Sequence, residues 1–456
     1  MRMAWIAVTL LPVVGIAAQP VLSSEDESFL RDQAIRVARS ARLEPGESSG
    51  KWRNSTRFTV RVPGGNMGYP AFWVRDAVMM LGGDLIPAGE LEGWIRLIAS
   101  TIRSGGDWQV RPGVVVPAFA VADHINFNGK ATFYPGNYET GDRQGGGAWG
   151  KYPPLDDDFY FLLAVHDHWR LTGKTDLLLS TVSTASGEMR LADLCEKVYE
   201  RAPVDSSTGL VMAGDVATEN AKDFGFCDAI YKSGKLLFPS VLKYLSAKRL
   251  AEFCQAAGLN RTARRFRDDQ QRIGRSVTST FYRPSGKDQG WLHSATGVGN
   301  QPDVWGSAFA VWAGAVSPAT ANMVSRALVR AYREQTAVQQ GCVRHVLTND
   351  RVNHGHWEKA DAKPGEYQNG GYWGTASGWY IAAMATVDTS AAASMARDYV
   401  RFLRNDLRAD GMALAWEWFN PETGKRNNPL YVATVALPYL SLSEAGLLSR
   451  KAVAAD

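Results

Sequence analysis

The chain has 456 residues, of which 45% are hydrophobic and 21% are charged, a composition typical of globular proteins. Its net charge is only +4, and no block of lysines and arginines occurs, so nucleic acid is excluded as the expected partner. Fifteen tryptophans, 16 tyrosines and 17 phenylalanines make the chain rich in aromatic residues. Many of them stand beside Gly, Pro, Asn and Asp in predicted loops, where flat rings and short polar side chains suit sugars.

The first residues are typical of a secretory signal peptide. Arg2 precedes an apolar run from Met3 to about Ala18, which ends in small residues. We predict a signal peptide over residues 1–18 and an exported protein, periplasmic or secreted; an uncleaved membrane anchor is the alternative. No other apolar stretch approaches the ~20 residues of a membrane span. The mature chain is therefore expected to be soluble, without stable insertion into a membrane.

Helical periodicity dominates the rest of the chain. We predict twelve helices, over residues 24–43, 72–82, 89–104, 156–171, 175–201, 235–256, 260–281, 303–315, 317–336, 373–386, 388–407 and 429–448. Short turns with capping residues join several neighbours, as at Gly173 and Gly258, and short connections make antiparallel pairs. No repeat of fixed length is visible, which disfavours an open solenoid. The pattern predicts an all-α fold, a single (α/α)6 barrel of six hairpins over residues 24–450.

Two long stretches, residues 105–155 and 340–371, interrupt the helical pattern. Long loops inside a compact domain are usually functional or disordered, and the aromatic residues here argue against disorder. We expect both stretches to wall a cleft at one end of the barrel and to include short β-strands.

Four clusters combine a carboxylate or an amide with aromatic residues and a nearby glycine or proline. In YPAFWVRDA, Trp73, Arg75 and Asp76 stand at the start of a predicted helix. The second cluster is the acidic run 156–158, of which Asp157 is the favoured site residue, although acidic residues at this position also cap helices.

The third cluster, ENAKDFGFCDAIYKSG, contains Asp223 and Asp228. An aspartate among apolar neighbours has a raised pKa, as a general acid requires, and helix capping is the alternative interpretation. The fourth cluster, YQNGGYWG, offers amides that bind hydroxyl groups and rings that stack on sugars. Its site candidates are Gln368, Asn369, Tyr372 and Trp373.

The segment AWEWFNPETG places Glu417 between Trp416 and Trp418, directly before a turn. A carboxylate among aromatic rings is costly to ionise, so its pKa rises, and this tuning is frequent at catalytic sites. If the segment is extended, the two indoles point to opposite sides. One of them, with Trp416 the candidate, would then wall a sugar pocket.

Other chemistries lack support in the sequence. No dinucleotide-binding glycine motif, P-loop or G-x-S-x-G motif occurs, and neither a cofactor nor a metal is expected. The irregular spacing of the four cysteines does not suggest zinc, and their three possible full pairings and buried free thiols are equally open. The cysteines are Cys195, Cys227, Cys254 and Cys342.

The segments FWVRDA, YQNGGYWG and WEWFNPETG together resemble motifs of the six-hairpin glycosidases, a clan of inverting glycoside hydrolases with an (α/α)6 barrel. The resemblance spans residues 65–440 approximately and is strongest to the branch with trehalases, processing α-glucosidase and mannosylglycerate hydrolase. It implies that Glu417 is the general base. FGFCDAIYKSG is similar to the segment that holds the general acid, which implies Asp228; Cys227 replaces the family's tryptophan, so Asp223 is the alternative acid.

The resemblance implies an inverting glycoside hydrolase, with a carbohydrate substrate and exo action on α-linked glucosides or related small glycosides. A polysaccharide lyase on a similar helical toroid is one alternative, for which Arg344 and His345, or His354, are candidate residues. A barrel that binds sugars without catalysis is the other. The sequence does not indicate an oligomeric state.

Overall fold

The structure is a computed structural model that describes residues 20–82, 85–111, 114–133, 155–214, 226–350 and 355–449. The predicted signal peptide, Asp223 and His354 lie outside the described residues. No helix in the described ranges is both long and apolar enough to cross a membrane.

Helices form most of the ordered framework. Their bounds are Ser24–Ser40, Val74–Val78, Ala88–Thr101, Asp157–Thr172, Asp176–Leu179, Leu191–Arg201, Leu237–Ala256, Asn260–Phe281, Val304–Ala313, Pro318–Arg333, Ser377–Ala385, Thr389–Arg404 and Val432–Glu444. Most are within a few residues of the predicted helices.

The helices alternate between an inner and an outer ring. Inner helices such as Val304–Ala313 and Ser377–Ala385 are buried on nearly every side, and their sequences are apolar almost throughout. Outer helices such as Asn260–Phe281 bury a single stripe, which matches their amphipathic sequences. Successive inner helices contact one another from Val74–Val78 to Val432–Glu444. This architecture confirms the predicted all-α (α/α)6 barrel.

The ring closes between its first and last helices. Leu440, on the last inner helix, lies against Gly82, and the outer helix Ser24–Ser40 packs on Val432–Glu444. The Val21 amide also donates to the Leu447 carbonyl at 3.0 Å. These contacts distinguish a closed barrel from an open solenoid.

The strands are short and lie in the connections between helices. They are Arg42–Leu43, Ser48–Ser49, Trp52–Arg53, Val60–Arg61, Phe72–Trp73, Trp108–Arg111, Val114–Val116, His124–Ile125, Ala131–Thr132, Thr181–Thr184, Gly187–Arg190, Met212–Ala213, Gly234–Lys235, Tyr282–Pro284, Gly290–Leu292, Val338–Gln339, Cys342–Val343, Trp418–Phe419 and Arg426–Asn427. All pairings between them are antiparallel. Several lie in the two long stretches, as expected.

One predicted helix, 175–201, is wrong as a continuous element. The structure has a short helix Asp176–Leu179, then the antiparallel pair Thr181–Thr184 and Gly187–Arg190, and only then the helix Leu191–Arg201. The run STVST is rich in β-branched residues, which favour strands. Gly187 has a φ of 126°, a conformation that L-residues with a side chain rarely adopt.

All four cysteines are buried free thiols. Their spacing left disulfides and buried free thiols equally open, and the structure has free thiols.

Candidate active site

The residues of the candidate site lie at one end of the barrel. Arg75 and Asp76 are in the first turn of their inner helix, Asp228 precedes the inner helix Leu237–Ala256, and Glu417 precedes Val432–Glu444. Inner helices of successive hairpins run in the same direction, so the segments before their N-termini converge at the same end.

Glu417 is held in a buried and strongly polar setting. Its backbone amide donates to the Asn427 carbonyl at 3.1 Å, next to the paired strands Trp418–Phe419 and Arg426–Asn427. The side chain is 2% exposed. The Tyr69 hydroxyl lies 3.1 Å from both carboxylate oxygens, and Asn427 Nδ2 donates to Oε2 at 3.1 Å.

Burial raises the pKa of Glu417 to about 8, and the charges of Asp76 and Asp228 raise it as well. The hydrogen bonds from Tyr69 and Asn427 act in the opposite direction because they stabilise the carboxylate. An empty site at neutral pH therefore holds this carboxyl mainly in its protonated form.

Asp228 lies on a segment that runs between two other loops. The Tyr231 amide donates to the Lys359 carbonyl at 3.0 Å, and the Ser233 amide donates to the Val298 carbonyl at 3.2 Å. Asp228 Oδ2 accepts from the Tyr367 hydroxyl at 3.0 Å, whereas the buried Oδ1 has no hydrogen-bond partner among the described residues. Burial raises the pKa of Asp228, against the lowering effect of the Arg75 charge.

Tyr69 bonds Glu417 and lies within the electrostatic influence of the other two carboxyl groups. Burial raises the pKa of its hydroxyl well above the ordinary value, and the charges of Glu417, Asp228 and Asp76 follow as further causes. Three carboxyl groups thus act on one hydroxyl group. This shared electrostatic setting brings both predicted catalytic residues into one site.

Asp76 and Arg75 make separate contacts within this site. The Tyr431 hydroxyl donates to Asp76 Oδ1 at 2.5 Å, and burial raises the pKa of Asp76 to about 6. Arg75 forms a two-pronged ion pair with Asp156, with N–O distances of 2.8 and 3.0 Å, and its guanidinium lies over the Phe226 ring. Asp156 of the acidic run 156–158 is thus an ion-pair partner of Arg75, and Asp157, the favoured site residue of that run, is also buried.

Trp73 adds an aromatic wall. Its indole meets the Tyr69 ring edge-on at 5.6 Å and stacks on His124 at 4.3 Å. The buried indole N–H has no hydrogen-bond partner in the described part of the chain. His124 Nδ1 lies 2.7 Å from Asp123, whose charge also raises the pKa of Asp228.

In the YQNGGYWG segment, the side chains of Gln368 and Asn369 bond backbone groups of neighbouring loops. Gln368 Oε1 accepts from the Ala229 amide at 3.0 Å, next to Asp228, and the Gln368 side chain also lowers the pKa of Asp228. Asn369 bonds two backbone groups, the Trp357 amide and the Ala362 carbonyl, each at 2.7 Å.

The remaining predicted site residues lie beside or beneath the carboxyl groups. Trp373 is fully buried and its indole N–H donates to the Tyr367 carbonyl at 3.2 Å. Tyr372 stacks on Phe419. The Trp416 indole N–H donates to Asp406 at 2.6 Å. Trp418 is buried, and its indole N–H has no hydrogen-bond partner among the described residues. Neither indole that flanks Glu417 therefore bonds another predicted site residue through its N–H group.

Sequence reasoning missed six residues of the site. Four of them bond the predicted carboxylates directly, and two support Trp73. They are Tyr69, Tyr367, Tyr431, Asn427, Asp123 and His124. The sequence feature that could have identified Tyr69 as a site residue is its position before Pro70 in the first cluster. The other two tyrosines resemble ordinary core residues in sequence.

Comparison with solved structures shows the same fold in several glycosidases. A glucoamylase from Saccharomycopsis fibuligera matches with a TM-score of 0.55 and 11% identity, covering 95% of this chain and 99% of its own. A glycosidase matches at 0.53 and 15%, covering 94% and 100%. A metal-independent α-mannosidase from Streptococcus pneumoniae matches at 0.51 and 11%, covering 92% and 94%. At such identities the likeness shows the (α/α)6-barrel fold alone.

No protein-family model matches the sequence, and no curated protein matches it at a significant level.

Proposed function

We propose that this protein is an inverting glycoside hydrolase that acts from the chain end on α-linked glucosides or related small glycosides. The observation that carries the proposal is the pair of carboxyl groups at one end of the barrel, Glu417 bonded by the Tyr69 hydroxyl and Asp228 bonded by the Tyr367 hydroxyl. The resemblance of their flanking segments to six-hairpin glycosidases, and the glycosidase names of the structural neighbours, support it.

In an inverting glycosidase, one carboxylic acid protonates the leaving oxygen while a second carboxylate activates a water molecule on the opposite face of the sugar. Asp228 suits the acid because burial favours its protonated form, and its Oδ1, which has no hydrogen-bond partner among the described residues, can carry the proton toward the glycosidic oxygen. Glu417 suits the base because Tyr69 and Asn427 fix both carboxylate oxygens.

The base role requires the ionised form of Glu417. Since burial raises its pKa to about 8, the active form is a minority at neutral pH and grows as the pH rises. The hydrogen bonds from Tyr69 and Asn427 lower the pKa of Glu417 and so increase the ionised fraction. The proposed mechanism therefore implies activity that increases toward mildly alkaline pH.

Substrate binding falls to the groups around the two carboxyls. Asp76 and Arg75 offer hydrogen-bonding partners for sugar hydroxyls, and Trp73 offers an apolar ring together with an N–H group that bonds none of the described residues. The glucoside preference rests on the sequence resemblance. Export through the predicted signal peptide is part of the same proposal.

No contact favours the lyase alternative in the described residues. His345 stacks on Trp305 at 3.9 Å, and burial holds the pKa of His345 well below its ordinary value. Arg344 donates to the Gly355 carbonyl at 2.5 Å. Neither side chain meets Glu417 or Asp228 in a hydrogen bond or ring contact.

The test uses purified mature protein with a panel of α- and β-linked aryl glycosides and disaccharides. Proton NMR of the first product should show the anomer opposite to that of the substrate. A product of unchanged configuration would exclude the inverting mechanism. An unsaturated product with ultraviolet absorbance would indicate a lyase, and binding without turnover would indicate a non-catalytic barrel.

A further inference from the structure

A cavity lies among the inner helices of the barrel. Its volume is about 410 Å³, within the range of roughly 300–1,000 Å³ that ligand pockets occupy. Most of its lining consists of later residues of the inner helices, such as 163–171 of Asp157–Thr172 and 437–444 of Val432–Glu444. Since the residues of the candidate active site lie in or before the first turns of inner helices, most of this lining lies toward the opposite end.

Most of the wall of this cavity is apolar. Leucines from three inner helices and three large aromatic side chains form it. They are Leu163, Leu171, Leu242, Leu245, Leu437, Leu440, Phe309, Trp312 and Trp379. Such a wall suits an apolar molecule.

Two residues of this wall carry buried polar groups. Trp379 and Ser441 line the cavity, and each is at least 96% buried. The Trp379 indole N–H and the Ser441 hydroxyl have no hydrogen-bond partner among the described residues. Leaving buried donors and hydroxyls unpaired costs free energy, so native proteins normally satisfy them with protein, water or ligand.

The charged side chains of the lining have partners. Arg170 and Arg249 both contact Glu444 Oε1, the first at 3.5 Å, and Asp167 lies 3.5 Å from His166 Nδ1. The described lining therefore offers no unpaired cation for a carboxylate ligand. Its buried groups without a described partner are one neutral N–H group and one hydroxyl group.

We propose that this cavity binds a small amphipathic alcohol or phenol. Its apolar body would lie against the leucines and the tryptophans. Its hydroxyl group can accept a hydrogen bond from the Trp379 N–H and donate one to the Ser441 hydroxyl oxygen. A hydrocarbon of the same shape would leave both groups unpaired. This site does not depend on the proposed glycosidase activity.

The test compares p-cresol with p-xylene. The two molecules have nearly the same shape, and a hydroxyl group of p-cresol replaces one methyl group of p-xylene. Binding to the full chain is measured by titration calorimetry. We expect one site that prefers p-cresol by roughly 5- to 15-fold, the effect of one or two net hydrogen bonds. Trp379→Phe and Ser441→Ala should each reduce the preference while leaving p-xylene binding nearly unchanged.

Leu245→Trp locates the site, because the larger side chain occupies the cavity and should abolish binding of both compounds. Leu407→Trp adds the same indole at an exposed position and should leave binding unaltered. Equal or weaker binding of p-cresol would overturn the proposal, as would failure of both compounds to bind the unmodified chain. If Leu245→Trp does not fold, loss of the p-cresol preference in Trp379→Phe still decides, and an unchanged preference there overturns the proposal.

Discussion

Burial opposes the ionisation of Glu417, and the hydrogen bonds from Tyr69 and Asn427 favour it. The carboxylate receives three hydrogen-bond contacts of 3.1 Å, yet its pKa lies near 8. A weak acid of this kind is a stronger base once it is ionised. The same residues thus determine both the availability and the strength of the proposed base.

Glu417→Gln keeps the shape of the side chain but cannot accept a proton. We expect kcat to fall by on the order of 10²–10⁴ with little change in substrate binding, as steady-state kinetics would show. Glu422→Gln, at an exposed position in the following turn, is the matched control and should leave kcat unaltered. Retention of full activity by Glu417→Gln would contradict the base role.

Asp228→Asn removes the proposed proton donor. We expect a comparable loss of kcat with disaccharides, and a smaller loss with activated aryl glycosides, because a good leaving group needs little protonation. The ratio of the two rates across a series of leaving groups measures this difference. An equal loss for all substrates would contradict the acid role.

The pH dependence of kcat/KM tests how Asp76 and Tyr69 each change the pKa of Glu417. Asp76→Asn removes a negative charge that raises the pKa of Glu417, so the acidic limb should move to lower pH. Tyr69→Phe removes a hydrogen bond that lowers the pKa of Glu417, so the limb should move to higher pH. We expect shifts of about 0.5–1 pH unit.

A matched pair of controls comes from the outer ring, where the Tyr332 hydroxyl donates to Asp398 at 2.9 Å. Tyr332→Phe and Asp398→Asn should leave the pH profile in place. Movement of the limb in the same direction for Asp76→Asn and Tyr69→Phe would contradict the role of Glu417.

Stability should respond to the same carboxyl group. In the unfolded chain the pKa of a glutamate is near 4.5, and in the folded chain burial raises that of Glu417 to about 8. Between these values the folded chain binds the extra proton, so its stability falls as pH rises through this window. Glu417→Gln cannot ionise, and its Tm relative to the unmodified protein should rise between pH 5 and pH 8 by about 1–4 °C. A constant difference in Tm would contradict the raised pKa.

The sequence pointed to Glu417 and Asp228 because each stands in an aromatic setting that is visible locally. It did not identify their hydroxyl partners, because those contacts are remote in the chain. Tyr69 is 348 positions from Glu417, Tyr431 is 355 from Asp76, and Tyr367 is 139 from Asp228. Local pattern carries no signal for such pairs, and a tyrosine near an apolar run is most often part of the core.

At the scale of helices, the inner ring depends on a close approach between two of them. A Cβ atom on Gly378 would lie 2.7 Å from Pro438 Cα and 2.8 Å from Ser441 Cβ. Gly378→Ala should therefore force the helices Ser377–Ala385 and Val432–Glu444 apart and reduce the free energy of unfolding by about 1–3 kcal/mol. Denaturant titration measures the change.

Gly89→Ala is the matched control, because Gly89 is also in a helix, Ala88–Thr101, and has open space around it. This change should leave stability unaltered or increase it by up to about 1 kcal/mol, since alanine favours helices. If both alanine variants behave alike, the inner helices are not in the close contact described.

The predicted helix 175–201 shows where helical periodicity is an insufficient guide. Val182 and Thr184 alternate with exposed residues in the strand Thr181–Thr184, but the run is only four residues long. The Ala185 amide donates to the Ile102 carbonyl, and the Ser186 hydroxyl accepts from two amides of the same loop. These long-range bonds stabilise a hairpin inside a segment with strong helical neighbours.

For the whole molecule, helix number and short turns were sufficient to predict the barrel, because each amphipathic outer helix requires an apolar partner. The abundance of aromatic residues was a weaker guide. Trp305 and Trp373 are fully buried and pack with each other, Phe226 and His345 inside the ring. Composition cannot distinguish such core tryptophans from those that face a ligand.

The contact between the first and last helices means that the barrel has no intrinsic starting point. Arg404 binds Glu25 and Asp26, and the Ser449 amide donates to Glu27, so distant parts of the chain meet at a non-covalent seam. A circular permutant that links residues 20 and 449 and opens at the exposed turn near Gly258 should fold and retain its catalytic rate. Circular dichroism and kinetics would show whether order along the chain matters less than order around the ring.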